Sequence, residues 1–292
     1  MKEKQIILEK NKLIMLLSVL VLLIAGVIIF GGYVIWMAIV AILVSGIVDY
    51  IFAKIRKYPL TLNLLISPLI MVLLLPPNLP LFMVGVGAFF LAFFAKGVFG
   101  GDDKYIFHPA VAAVLFLLIT FPAHMNTMWL DPVTNVITTG LPVANPTAYT
   151  LTDLTLGMVP GTVGTTFRLG IVILGFVLII TKVINWKIVL GYLVSFGLFT
   201  FIFSLVQGTD VNVIFSYMTG TVLFASIFLA TDDPTTPDKP QSIWLYGLGL
   251  GLLTALIRDF ATFPEGVIFA VIIMNAIAPL IDSFFDKEEA NE

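Results

Sequence analysis

Cysteine is absent from all 292 residues. That excludes disulfides, thiolate metal sites and any iron–sulfur cluster held by this chain alone. Charge is also scarce: charged residues make up 11% of the chain, against roughly 25% in a soluble domain. The formal net charge is −3, and no basic stripe exists to neutralise phosphates, so a nucleic-acid partner is excluded. Histidine is limited to His108 and His124. Each reads as a satisfied interfacial histidine, with a single axial haem ligand as the alternative. Walker, HExxH and GxSxG patterns do not occur.

What is present is apolar: 59% of residues are hydrophobic and the mean hydropathy is +1.07. The chain therefore belongs in a membrane. A hydrocarbon core of about 30 Å needs roughly 20 apolar residues per helix. Spans are expected near 13–30, 33–52, 60–75, 81–98, 109–121, 167–181, 187–206, 213–230, 243–260 and 264–285. The third and fifth are short for a full crossing, so they are tilted, broken or extended by their flanks. The first apolar run continues into a second without a small-residue cleavage site, so residues 1–12 read as a retained tail.

Orientation follows the lysine and arginine bias. Lys2, Lys4, Lys10 and Lys12 precede the first span, Lys54, Arg56 and Lys57 follow the second, and Lys96, Lys104, Lys182 and Lys187 mark later turns. With ten spans all fall on one side, which places both termini in the cytoplasm of a bacterial cell membrane with lipid around the helices. The connection near 122–166 then lies outside. It carries eleven threonines between Thr127 and Thr166, and reads either as a solvated loop or as a ligand-gripping face, since loops beyond about 15 residues are usually functional or disordered.

The chain also repeats itself. A shift of 162 residues lays Gly85 on Gly247, Gly87 on Gly249, Leu91 on Leu253, Lys96 on Arg258 and Phe107 on Phe269. Proline-rich turns, LLLPPNLP and ATDDPTTPDKP, precede both copies. With five spans per half, the second copy enters the membrane upside down, a layout whose ligand and ion sites lie at the repeat interface. The expected fold is thus an all-α membrane protein of about ten helices in two inverted five-helix repeats. Its divisions are a tail (1–12), a first repeat (13–122), an extracytoplasmic loop (123–166), a second repeat (167–285) and a tail (286–292).

Charges near hydrocarbon are functional suspects, because each costs several kcal/mol unless paired or wetted. The suspects are Asp49, Asp232, Asp233, Arg258, Asp259, Glu265 and Asp282, with Asn275 among them as a polar residue. Asp232 and Glu265 stand out as carriers of a cation or proton. In GMVPGTVGTT, Gly161 and Gly164 permit close backbone approach at a helix start, which suits an anion such as phosphate, with Arg168 nearby. A plain helix start is the competing reading. Asp102 and Asp103 read equally as helix caps or as a ligand site. The GLGLG of 247–251 falls inside a span and reads as a close-packing face.

FLATDDPTTP, LIRDFATFPEGVIFAVIIMNAIAPLID, GMVPGTVGTT and VFGGDDKYIFHPA together resemble the NqrB/RnfD membrane family, whose members serve Rnf electron-transport complexes and the sodium-pumping NADH:quinone reductase. The likeness is nearer the Rnf side, since the longer amino-terminal extension typical of the quinone reductase member is absent. The resemblance implies a ten-helix flavin carrier with one FMN esterified to a threonine of a Ser/Thr-Gly-Ala-Thr segment in the outer loop. It also implies a riboflavin held noncovalently, and electron transfer coupled to sodium or proton movement. The implied partners are the other Rnf-type subunits, including an extracytoplasmic FMN-bearing one. The protein's part would be to hold the rings and tune their potentials.

This chain departs from the pattern in three places. Its loop contains TTGLP, with Leu141 where the acceptor threonine belongs, and Thr138, Thr139 and Thr147 as neighbouring hydroxyls. Thr165 replaces the acid of the family's PGxxGE, and His108 replaces the asparagine before Pro-Ala. The expectation is therefore an FMN without an ester bond, its phosphate cradled by Gly161, Gly164 and Thr165. Asp232, Arg258 and Glu265 would surround a second flavin or the ion. The competing functions are a stand-alone inverted-repeat channel or transporter for a small solute, and a degenerate membrane anchor for a partner flavoprotein.

Overall fold

A computed structural model describes residues 2–101, 104–142, 148–209, 212–261 and 266–289, with side chains described from 7 to 286 within them. Thr147 and Glu265, like Asp102 and Asp103, lie outside the described residues. Helices dominate. α1 (Lys2–Phe30) and α2 (Tyr33–Arg56) form an antiparallel pair, and α2 ends where Lys57 turns left-handed at φ 57°. α3 (Asn63–Leu73) stops after 11 residues at the Pro76-Pro77 turn, as its short apolar run predicts. α4 (Leu81–Phe90) continues as a π-helical stretch, Leu91–Gly97, and α5 (Pro109–Thr120) starts with proline in its first turn, where no N–H is needed.

A short helix α6 (Pro122–Asn126) leads into a hairpin of β1 (Trp129–Leu130) and β2 (Ile137–Thr138), paired antiparallel with Trp129 opposite Thr138. α7 (Leu151–Leu156) follows, closed by a reciprocal capping box between Thr150 and Asp153. The second half runs α8 (Arg168–Ile180), α9 (Trp186–Gln207), α10 (Val213–Met218), α11 (Val222–Phe228), α12 (Pro240–Phe260) and α13 (Val267–Glu289).

Two findings differ from the sequence reading. The apolar run 213–230 is not one helix: Thr219 is extended (φ −112°, ψ 149°) and Gly220 takes φ +67°, so the chain breaks between α10 and α11. The carboxyl end of the outer connection is not solvated either. Val159–Thr166 is buried without interruption, which is consistent with irregular backbone being tolerated at depth when protein surrounds it.

Between helices in lipid, close packing and interhelical hydrogen bonds replace the hydrophobic drive. The α9–α12 seam shows both. Gly247 approaches so closely that a Cβ there would lie 2.9 Å from the Ile188 carbonyl oxygen. Ser195 Oγ donates to the Leu248 carbonyl at 2.8 Å, and the Tyr192 and Thr254 hydroxyls meet at 2.9 Å. The glycines of GLGLG therefore serve packing, as their place inside a span implies. In the first half, α3 packs against α1 and α2, and α4 returns along α2. In the second, α11 packs against α8 and α9, and α12 returns along α9.

Candidate functional site

Broken helices leave carbonyls exposed at membrane depth, and each unmet one is costly. Two different donors meet them here. At the end of α3, Gly164 N–H donates to the Leu73 carbonyl at 2.7 Å and Val163 N–H to that of Leu75 at 3.1 Å. A Cβ on Gly164 would sit 2.5 Å from Leu73 Cβ, so only glycine lets the two backbones meet. At the end of α10, Arg258 donates to the Ser216 carbonyl at 3.0 Å and to the carbonyl and hydroxyl of Thr219.

These bonds place most of the suspected residues. Gly161, Gly164 and Thr165 are gathered in the buried segment that seals α3. Thr165 spends its hydroxyl on Thr162 at 2.7 Å, and a Cβ on Gly161 would meet Thr166 Cγ2 at 2.9 Å. The N–H groups of Val163 and Gly164 are engaged by α3, and α8 starts beyond them at Arg168, which donates to the Leu154 and Thr166 carbonyls. His108 is 3% exposed rather than interfacial. Asp282 accepts from the backbone N–H of Asp238 and Lys239 and so caps α12 from α13.

Asp49 and Lys96 meet at 2.8 Å, and their side chains are 6% and 1% exposed. An ion pair so buried needs both partners, since removing either strands the other charge. In the hairpin, the Thr138 hydroxyl lies 3.4 Å from both the Trp129 and Gly140 carbonyls and can donate its one proton to either, while Thr139 is exposed. Leu141, at the acceptor position of the resemblance, is buried. No lysine or arginine lies between Lys104 and Arg168.

Asp232 stands apart from this set. It lines a cavity of ≈ 330 Å³ between α1, α3, the α8–α9 turn and the end of α11. Asn11, Lys12, Asn63 and Asp233 supply the other polar groups, and Met15, Ile66, Ile70 and Phe228 supply apolar walls. Tyr105 donates its hydroxyl to Asp232 Oδ1 at 3.2 Å. Arg258 is not part of this group. It lies 18 residues along α12 from Pro240, about 27 Å of helix rise from the Asp232 turn. Lys12, Asn63 and Tyr105 escape sequence reasoning as site residues. Lys12 carries a visible signal, a charge at the border of an apolar run, but in sequence that signal speaks for orientation alone.

The arrangement defines a class first. Among the described residues, five helices, Ile7–Phe30, Tyr33–Arg56, Trp186–Gln207, Pro240–Phe260 and Val267–Asp286, are long and apolar enough to cross a membrane, and four shorter apolar helices accompany them. This is an all-α, multi-pass membrane protein. The chain belongs to the NQR2, RnfD, RnfE family, whose profile matches residues 3–291. It is 31% identical over 270 residues to the B subunit of the Na(+)-translocating NADH-quinone reductase of Stutzerimonas stutzeri, covering 84% of this chain and 65% of the relative. The corresponding protein of Pseudomonas aeruginosa strain PAO1 is 32% identical over 83% of this chain and 64% of its own length. That of Chromohalobacter salexigens is 31% identical over 85% and 64%. The chain thus spans about 65% of the length of the relatives it matches. By name, those relatives are subunits of an ion-translocating, NADH-linked oxidoreductase.

Proposed function

We propose that this protein is the flavin-carrying membrane subunit of an Rnf-type complex, passing electrons across the membrane in step with Na+ or H+ movement. The observation that carries the reading is the Asp232 cavity. Its ≈ 330 Å³ falls within the roughly 300–1,000 Å³ of small-molecule sites, and it pairs apolar walls with a few polar groups. Ile66, Ile70 and Phe228 suit the faces of an isoalloxazine ring, while Asn11, Asn63 and Asp232 suit its edge. Lys12 shares the lining with two carboxylates, Asp232 and Asp233, so the walls favour an uncharged flavin such as riboflavin over a phosphate-bearing one. A bound flavin would supply the redox chemistry; the chain's part is to hold it, orient it and keep water from it.

The outer loop fits an esterified FMN poorly. Leu141 is buried at the acceptor position, Thr138 already spends its single hydroxyl proton on a backbone carbonyl, and no lysine or arginine stands within 105–167 to balance a phosphate. Two inverted repeats are favoured by the matching order of the halves, each with a helix pair, a half-length helix ending in a proline-rich turn, and two closing helices. Ten crossings with both termini in the cytoplasm of the bacterial inner membrane follow from that symmetry and the lysine bias. The names of the relatives favour a second reading, a sodium-pumping quinone reductase. Identification of co-purified subunits separates the two, with an extracytoplasmic FMN-bearing partner expected in either. Acid extraction and mass analysis of the purified chain should yield noncovalent flavin. Absence of flavin as purified, and after its addition, would refute the proposal.

A further inference from the structure

Asn275 is 1% exposed and hydrogen-bonds to three separate elements. Its Oδ1 accepts the backbone N–H of His108 at 3.0 Å, at the start of α5. Its Nδ2 donates to the Tyr246 hydroxyl on α12 at 2.8 Å and to the Thr235 carbonyl at 3.5 Å, in the turn that carries Asp232. One further bond runs alongside: Tyr105 donates to Asp232. Segment 105–108, from the first half of the chain, is thus stitched to the 232–235 turn of the second half. A buried amide whose donor and acceptor sides are both used on other elements fixes their relative placement, because leaving any of these groups unmet in a dry interior is costly.

We propose that Asn275 is a positioning residue, a clasp that holds the 105–108 segment against the Asp232 turn and so sets the shape of the cavity that Asp232 lines. The clasp places Asp232 without touching the cavity itself, since neither Asn275 nor Tyr246 belongs to its wall. Its bearing on flavin binding rests on the function proposed above, whereas its effect on the turn does not.

The natural absence of cysteine makes the test direct. Thr235→Cys, buried in the turn and outside the cavity wall, reports on the turn, and Thr152→Cys, exposed in α7, reports on a distant surface. In the full-length protein, Asn275→Ala should raise maleimide labelling at the turn relative to the reference by about ten-fold, the effect of losing a buried hydrogen-bonding partner. Should Asn275→Ala fail to fold, Tyr246→Phe removes only the hydroxyl and should give a rise of about three-fold. Unchanged labelling, or an equal rise at both reporters, would overturn the clasp. Flavin content is read on the same samples. A labelling rise in protein that never binds flavin would support the clasp and sink the flavin reading, while flavin binding with unchanged labelling would do the reverse.

Discussion

Removing one member of the Lys96–Asp49 pair should damage this protein more than removing both. The nitrogen–oxygen distance is 2.8 Å and both side chains are almost fully enclosed. With an effective dielectric of ~20, the mutual attraction is about 6 kcal/mol, most of it offset by the cost of taking both charges from water. Lys96→Met leaves a buried carboxylate and Asp49→Asn leaves a buried ammonium, so each should cost about 3–5 kcal/mol. The double substitution leaves neither, and its cost should fall below that of either single change. The coupling energy should therefore be at least about 3 kcal/mol. Equilibrium unfolding of the four proteins in mixed detergent micelles measures it, with helicity as the signal. Single costs below about 1 kcal/mol, or costs that simply add, would refute the claim that the pair is buried and mutually dependent.

Other predictions concern the sealed helix ends and the outer loop. Gly164→Ala forces a Cβ against Leu73 at 2.5 Å, and should lower stability in detergent by about 1–3 kcal/mol, the usual cost of overpacking. Arg258→Met strips the donors from the Ser216 and Thr219 carbonyls, and should cost about 1–3 kcal/mol, with faster amide exchange confined to α10 and α11. The Thr150 hydroxyl, then its backbone N–H, hold the Asp153 carboxyl below its ordinary range. A carboxyl lowered on folding stabilises above its unfolded value of about 3.9 and loses that contribution as pH falls through the folded value. Amide protection of α7 should hold from pH ~7 to ~5 and decline below ~4; a decline already complete at pH ~5 would contradict this.

Much of this architecture was legible in the sequence because the physics was local. Apolar runs located the helices, the short runs at 60–75 and 109–121 foretold α3 and α5, and the glycines at 247–251 foretold a close seam. The break after α10 was not legible, since its apolar run continues through Thr219 and Gly220, and a single glycine inside such a run is ambiguous. The site was read less well. Charges beside hydrocarbon marked Asp49, Asp232, Arg258 and Asp282 as unusual, but their partners are distant in sequence. The separations run from 39 residues, for Arg258 and Thr219, to 127, for Asp232 and Tyr105. No local pattern distinguishes a charge that seals a helix end, as Arg258 does, from one that faces a cavity, as Asp232 does. Likewise, Gly161 and Gly164 promised close backbone approach without revealing that the backbone Gly164 meets is that of α3.

The central claim, that the Asp232 cavity holds a noncovalent flavin, is tested most directly by flavin stoichiometry in two purified proteins. The parent is compared with Asn11→Trp, which puts a bulky ring on the α1 side of the cavity lining. After denaturation in SDS, the parent should release about one flavin per chain and leave no fluorescence on the polypeptide, whereas Asn11→Trp should keep its helicity and lose most of its flavin. Equal flavin in both proteins, or fluorescence that stays with a peptide of the outer loop, would contradict the account.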